Sequence, residues 1–146
     1  MGLIEDLGEG PIALDTVIFI YWIEENPTYL SQVEPLFRAI DRGEIEVVTS
    51  AITLLEVLDV PYRAGKVALA ERYEQLLTRA SHLRLVDIDR QQLRAAAQLR
   101  AVHGVRTPDA LQLAAGLATR ATTMITNDRR LPGIPGLEVL QLGELA

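Results

Sequence analysis

The chain has 146 residues, 49% of them hydrophobic and 23% charged, which is the size and balance of one globular domain. It contains no cysteine and only two histidines, which excludes a disulfide framework, thiolate metal sites, a cysteine nucleophile and a multi-histidine centre; a metal here must be held by oxygen. A net charge of −6 argues against indiscriminate coating of nucleic acid, yet residues 1–60 carry −10 while residues 61–130 carry +6.

Residues 1–10 are acidic and glycine-containing and read as a loose lead-in to a single domain over 11–146. Pro11-Ile12-Ala13-Leu14 is a short buried strand that ends at Asp15. From Thr16 the pattern is helical through Val17, Phe19, Ile20, Trp22 and Ile23, and it stops before Asn26-Pro27. The apolar run over 12–23, broken by Asp15, falls short of the ~20 residues of a membrane span. The first basic residue, Arg38, comes too late for a secretory leader, so a cytoplasmic protein with no membrane partner is expected. Thr28 is placed to cap a second helix, closed by Gly43. A strand over Ile45–Thr49 follows, and Ser50 is placed to cap a helix running through Glu56.

Gly65–Ala80 is helical, Leu83–Asp87 suits a third strand, and Asp89 caps an alanine-rich helix to His103-Gly104. Thr107-Pro108 opens another helix by the cap-then-proline rule, and its small and apolar residues mark it as buried on most sides. Thr122–Thr126 is a fourth strand, Asn127-Asp128 a turn, and Leu137–Leu142 a last strand. Strands alternating with helices give an α/β fold: a three-layer α/β/α sandwich around a mostly parallel sheet. In such sheets ligands sit at the carboxyl ends of the strands.

Four acids fall at that edge. Asp15 ends the first strand and Asp128 follows the fourth; Asp109 lies in the first turn of its helix, and Glu56 interrupts the apolar helix Ala51–Leu58. Each has an ordinary explanation: Asp15 as a helix cap, Asp109 at a helix dipole, Asn127-Asp128 as turn chemistry. Glu56 is the hardest to explain so, because a lone carboxylate is expensive to bury on an apolar helix. Together, clustered carboxylates repel one another, and a hard divalent cation, Mg²⁺ or Mn²⁺, relieves that repulsion. The chemistry this implies is metal-assisted phosphodiester hydrolysis.

These segments also carry a family resemblance. Ile12-Ala13-Leu14-Asp15-Thr16, Ser50-Ala51-Ile52-Thr53-Leu54-Leu55-Glu56, Thr107-Pro108-Asp109-Ala110-Leu111-Gln112-Leu113-Ala114-Ala115 and Ile125-Thr126-Asn127-Asp128 resemble, in order, the four motifs of the PIN domain. A small chain of this type is similar to the VapC-type toxins of toxin–antitoxin pairs. The resemblance implies a PIN-like sandwich and a Mg²⁺/Mn²⁺-dependent endoribonuclease acting on RNA. It also implies a homodimer and an antitoxin that plugs the acidic site. Carried over residue by residue, Asp15, Glu56, Asp109 and Asp128 are the catalytic, metal-binding acids, with Thr126 and Asn127 as supports that orient a metal-bound water or Asp128. Arg106, Arg129 and Arg130 flank these acids and are candidate contacts to RNA phosphates. Five of the seven aromatics lie between Phe19 and Phe37, mostly as core, and any exposed subset on the first two helices is a candidate dimer or antitoxin face. Two alternatives stand beside the toxin reading: a PIN-type RNA-processing nuclease without an antitoxin, and a non-catalytic RNA-binding module of the same fold. A haloacid-dehalogenase-like phosphatase wants a second aspartate where Val17 stands, and Lys66 is the only lysine.

Overall fold

The computed structural model describes residues 7 and 10–144. The expected lead-in over 1–10 therefore lies outside the described residues, apart from positions 7 and 10. The strands are short, three or four residues each. β1 (Ile12–Leu14), β2 (Val47–Ser50) and β4 (Thr123–Thr126) are buried along their whole length. β3 (Leu83–Val86) and β5 (Glu138–Gln141) form the more exposed edges. All pairings are parallel, in the order β3-β2-β1-β4-β5, so the mostly parallel sheet that was expected is wholly parallel among the described strands.

Among the described residues, six α-helices cover the two faces: α1 (Thr16–Ile23), α2 (Leu30–Asp41), α3 (Ile52–Arg63), α4 (Val67–Arg79), α5 (Arg90–His103) and α6 (Thr107–Ala118). The period-two alternation of a strand sorts the core into two clusters. Ile12, Leu14, Val47 and Ile125 point to Phe19, Leu36, Phe37, Ile40, Tyr73 and Leu77 of α1, α2 and α4. Ala13, Val48 and Met124 point the other way, to Ala96 of α5 and Ala110, Leu113 and Ala114 of α6. Gly116 lets α6 lie tight on the sheet, since a Cβ there would come within 2.9 Å of Leu137 and 3.6 Å of Ala13. Gly104 ends α5 in the left-handed region, at φ 66°, as its place in the sequence suggests.

Several boundaries differ from the sequence reading. Asn26, not Thr28, prepares α2: its Oδ1 accepts from the backbone N–H groups of Thr28 and Tyr29. Ser50 ends β2 and accepts from Ile52 N at 3.2 Å, while α3 continues past Glu56 to Arg63 with Pro61 buried within it. Thr107 and Pro108 are the first residues of α6 itself, and Arg106 precedes them with extended backbone. Asp89 caps α5 as expected, accepting from Gln92 N at 2.9 Å. Among the described residues no helix is long and apolar enough to cross a membrane.

The winding of the sheet places the site. From β1 the chain moves outward through β2 to β3, then returns to add β4 on the opposite side of β1. The loops leaving β1 and β4 therefore diverge and open a crevice at the carboxyl edge, the usual ligand position in such sheets.

Candidate active site

A cavity of about 330 Å³ lies in this crevice, lined by Asp15, Thr16, Val17, Ile20, Glu56, Arg106, Asp109, Asn127 and Asp128. The four acids singled out in the sequence thus come from four separate segments to one place. Asp15 caps α1, its Oδ1 accepting from Thr16 N at 2.8 Å, and its Oδ2 accepts from the buried Thr126 hydroxyl at 2.6 Å. The cap explanation and the site placement are both true of this residue. Burial pushes its carboxyl above the usual aspartate range, and the neighbouring charges of Asp109 and Asp128 push the same way; the bonds from Thr126 and Thr16 N pull against them.

Glu56 reaches the cavity from the second turn of α3. Its Oε1 accepts from the Thr16 hydroxyl at 2.7 Å, and burial raises its pKa above the ordinary glutamate value. Asp109, in the first turn of α6, is the most enclosed of the four at 5% exposure. Asp128 follows β4 and is held low by its hydrogen bonds from Arg130, whose Nε and Nη2 lie 3.0 Å from its two oxygens.

The flanking residues divide. Thr126 serves both neighbours, donating to Asp15 and accepting from Asp128 N at 3.1 Å. Asn127 is turned to structural work: its Nδ2 donates to the Tyr21 hydroxyl at 3.0 Å and its Oδ1 accepts from Gly143 N at 2.9 Å. The arginines do not form an open basic rim. Arg106 bridges two site acids, with Nε 3.2 Å from Asp109 Oδ2 and Nη2 3.2 Å from Asp128 Oδ2. Arg130 rests on Asp128, and Arg129 turns outward to Glu144 at 2.7 Å. Clustered negative charge draws in the nearest cations, and in this chain those are its own guanidinium groups.

The sequence reading passed over what lies beneath Asp15 and Glu56. Thr16, Thr49, Thr53 and Gln112 are all buried and hydrogen-bonded to one another. The signal was present: Gln112 is the polar exception in a run of small and apolar α6 residues, and a buried amide must be satisfied. The aromatic expectation is also amended. Phe19 and Phe37 are buried, Trp22 stacks on Phe37 and Tyr21 on Tyr29, and none of the five is exposed. The exposed apolar side chains stand elsewhere: Leu55, Val60 and Tyr62 on α3, Val67 at the start of α4, Leu93 and Val102 on α5 and Leu117 on α6.

Four carboxylates around one cavity, without sulfur or imidazole, are the donor set a hard divalent cation takes. With Arg106 lying across Asp109 and Asp128, no three acidic or histidine side chains among the described residues stand close enough together to hold an ion as placed. The donor chemistry fits such an ion, and holding one would require these side chains to draw closer together.

Comparison with known proteins gives one family: the PIN domain matches residues 12–137. No curated protein matches the sequence. Among solved structures, VapBC2 from Rickettsia felis bound to a DNA fragment from its promoter superposes with a TM-score of 0.68 at 20% identity, over 90% of this chain and 98% of that one. A toxin–antitoxin complex from Klebsiella pneumoniae gives 0.64 at 21% identity, over 86% and 94%. DNA-bound VapBC from Salmonella typhimurium gives 0.62 at 24% identity, over 92% and 99%.

Proposed function

The chain belongs to the PIN-domain family, and from that premise we propose that it is a Mg²⁺- or Mn²⁺-dependent endoribonuclease, the toxin of a toxin–antitoxin pair. The observation that carries this is the convergence of Asp15, Glu56, Asp109 and Asp128 on one cavity at the switch point of the sheet. A divalent cation held by these acids would lower the pKa of a water and shield the charge that develops on a phosphodiester. The chain's own residues do the rest. Thr126 and Thr16 hold Asp15 and Glu56 in place with neutral hydroxyls. Asp109 and Asp128 bring the remaining oxygens from α6 and from the loop after β4. Asn127 pins that loop to Tyr21 and Gly143. Once lifted from the carboxylates, the forks of Arg106 and Arg130 suit substrate phosphates, and exposed Arg129 is the outer contact. Neither histidine lines the cavity, so a protein imidazole base has no part in this reading.

The toxin assignment and the antitoxin partner rest on the likeness to the toxin–antitoxin complexes, and a homodimer is proposed with them. The test uses antitoxin-free protein, refolded from denaturant and incubated with total RNA in Mg²⁺ or Mn²⁺. EDTA and Asp109→Asn are the controls. Discrete fragments that need both the ion and Asp109 are expected. Intact RNA with a folded, Mn²⁺-binding protein points to the non-catalytic binding module, and a folded protein that binds no Mn²⁺ overturns the nuclease.

A further inference from the structure

Beneath the acids lies a closed set of buried polar groups whose hydrogen-bond directions can be worked out. The backbone N–H of Ser50 only donates, and it donates to the Gln112 side chain at 3.1 Å, so the amide oxygen faces β2. The amide nitrogen therefore faces the other way, to Thr53 Oγ1 at 2.8 Å and Thr16 Oγ1 at 3.3 Å. Thr49 has one proton, and its nearest acceptor without a proton of its own is the Leu14 carbonyl at 2.8 Å. Thr53, 2.7 Å from Thr49, then donates to it. With Thr53 spent and Gln112 donating, Thr16 has one place for its proton: Glu56 Oε1 at 2.7 Å.

We infer that Gln112 is a positioning residue that sets the polarity of this relay, so that Thr16 is a committed donor and Glu56 is presented to the cavity as an aimed, acceptor-only carboxylate. Thr49, Thr53 and Gln112 are at most 1% exposed, so their mutual bonds are shielded from bulk water, and Thr16, at 8%, carries the relay to the cavity wall. Buried polar networks of this kind earn their cost when every member is satisfied, and here the directions close without a conflict. The donors are neutral. They hold Glu56 without offering a positive charge that competes with a cation, unlike the arginines on the opposite wall. The inference rests on the metal-binding reading above, and it extends that reading to a residue that touches neither ion nor substrate.

The test is Mn²⁺ affinity by titration calorimetry on folded full-length protein. Gln112→Glu keeps an oxygen for Ser50 but turns the donor face into an acceptor, drawing the Thr16 proton away from Glu56. Thr16→Val removes the relay's last link, and Thr16→Ser keeps it. Gln112→Glu and Thr16→Val are each expected to weaken Mn²⁺ binding about 10–100-fold. Combined, they should weaken it no further than either alone, because Gln112 acts through Thr16. Thr16→Ser should stay within about twofold of the wild type. Should the buried charge of Gln112→Glu prevent folding, Gln112→Met replaces it. Wild-type affinity in the folded Gln112 variant, or additive losses in the double variant, overturns the inference while leaving the metal site standing. A wild-type protein that binds no Mn²⁺ overturns both.

Discussion

Replacing Arg106 with glutamine isolates the competition between a tethered cation and a free one. Its guanidinium lies 3.2 Å from Asp109 and 3.2 Å from Asp128, on two of the oxygen groups proposed to hold the ion. The arginine is 52% exposed, so solvent screens both contacts and each is worth about 0.2–1 kcal/mol. The bond to Asp109, whose side chain is 7% exposed, stands at the upper end of that range. Releasing the arginine therefore costs about 1–2 kcal/mol. A cation that displaces it gives up about 5–30-fold in affinity. Arg106→Gln is accordingly expected to bind Mn²⁺ about 5–30-fold more tightly by calorimetry at ~0.15 M salt, where a Debye length of about 8 Å leaves contacts at 3.2 Å in force. Arg106→Lys separates the clamp from the mere presence of charge, since an ammonium keeps the charge but not the two-acid fork. It should fall between glutamine and wild type. Unchanged or weaker Mn²⁺ binding in Arg106→Gln refutes the competition, and a lysine variant indistinguishable from wild type refutes the clamp geometry.

Other consequences are as direct. Asp109→Asn should abolish cleavage and leave the melting temperature within a few degrees of wild type, as read by RNA gel and circular dichroism. Saturating Mn²⁺ at about 100 times its dissociation constant should stabilise the fold by about 2.7 kcal/mol, seen as a melting-temperature rise of roughly 5–10 °C that EDTA reverses. Glu56→Gln keeps the oxygen that accepts from Thr16 and removes a charge that burial disfavours, so in EDTA it should melt above wild type near pH 7. The sign with pH follows from the raised pKa. Charged Glu56 costs stability above its folded pKa, and that cost fades as pH falls through the folded value toward 4.5, so the advantage of Glu56→Gln should shrink on acidification. An advantage that grows instead contradicts the burial argument.

The acids themselves were legible in the sequence because each violates its surroundings or ends an element: Asp15 at a strand end, Glu56 on an apolar helix, Asp109 beside Pro108, Asp128 in a turn. The alternation of buried strands and helices likewise carried the layer order. Element ends were less legible, since they depend on which of several competent side chains wins. Asn26 and Thr28 are both competent to satisfy the N–H groups ahead of α2, and it is Asn26 that does so, accepting from Thr28 N and Tyr29 N. The arginines were legible by position but not by partner: Arg129 and Arg130 follow Asp128 and Arg106 precedes Thr107, whereas the ion pairs of Arg106 and Arg130 with Asp128 depend on how the fold brings the segments together. Gln112 was quoted within a motif and given no role, because its partners lie 59 to 96 residues away in sequence and no local periodicity points to them.

The two walls of the cavity are thus held by opposite means. Asp15 and Glu56 are gripped from the core side by hydroxyls of buried threonines that carry no net charge. Nothing in that grip has to be undone for a cation to enter, so this wall is preorganised. Asp109 and Asp128 are gripped from the solvent side by guanidinium groups more than half exposed, and that grip competes with any cation directly. Binding of the proposed ion would therefore be asymmetric: the arginine wall would open while the hydroxyl wall stayed still. Variants of the hydroxyl wall should lower cation affinity, and variants of Arg106 should raise it. That opposition in sign, within one cavity and one assay, is what separates a built divalent site from a chance gathering of acids.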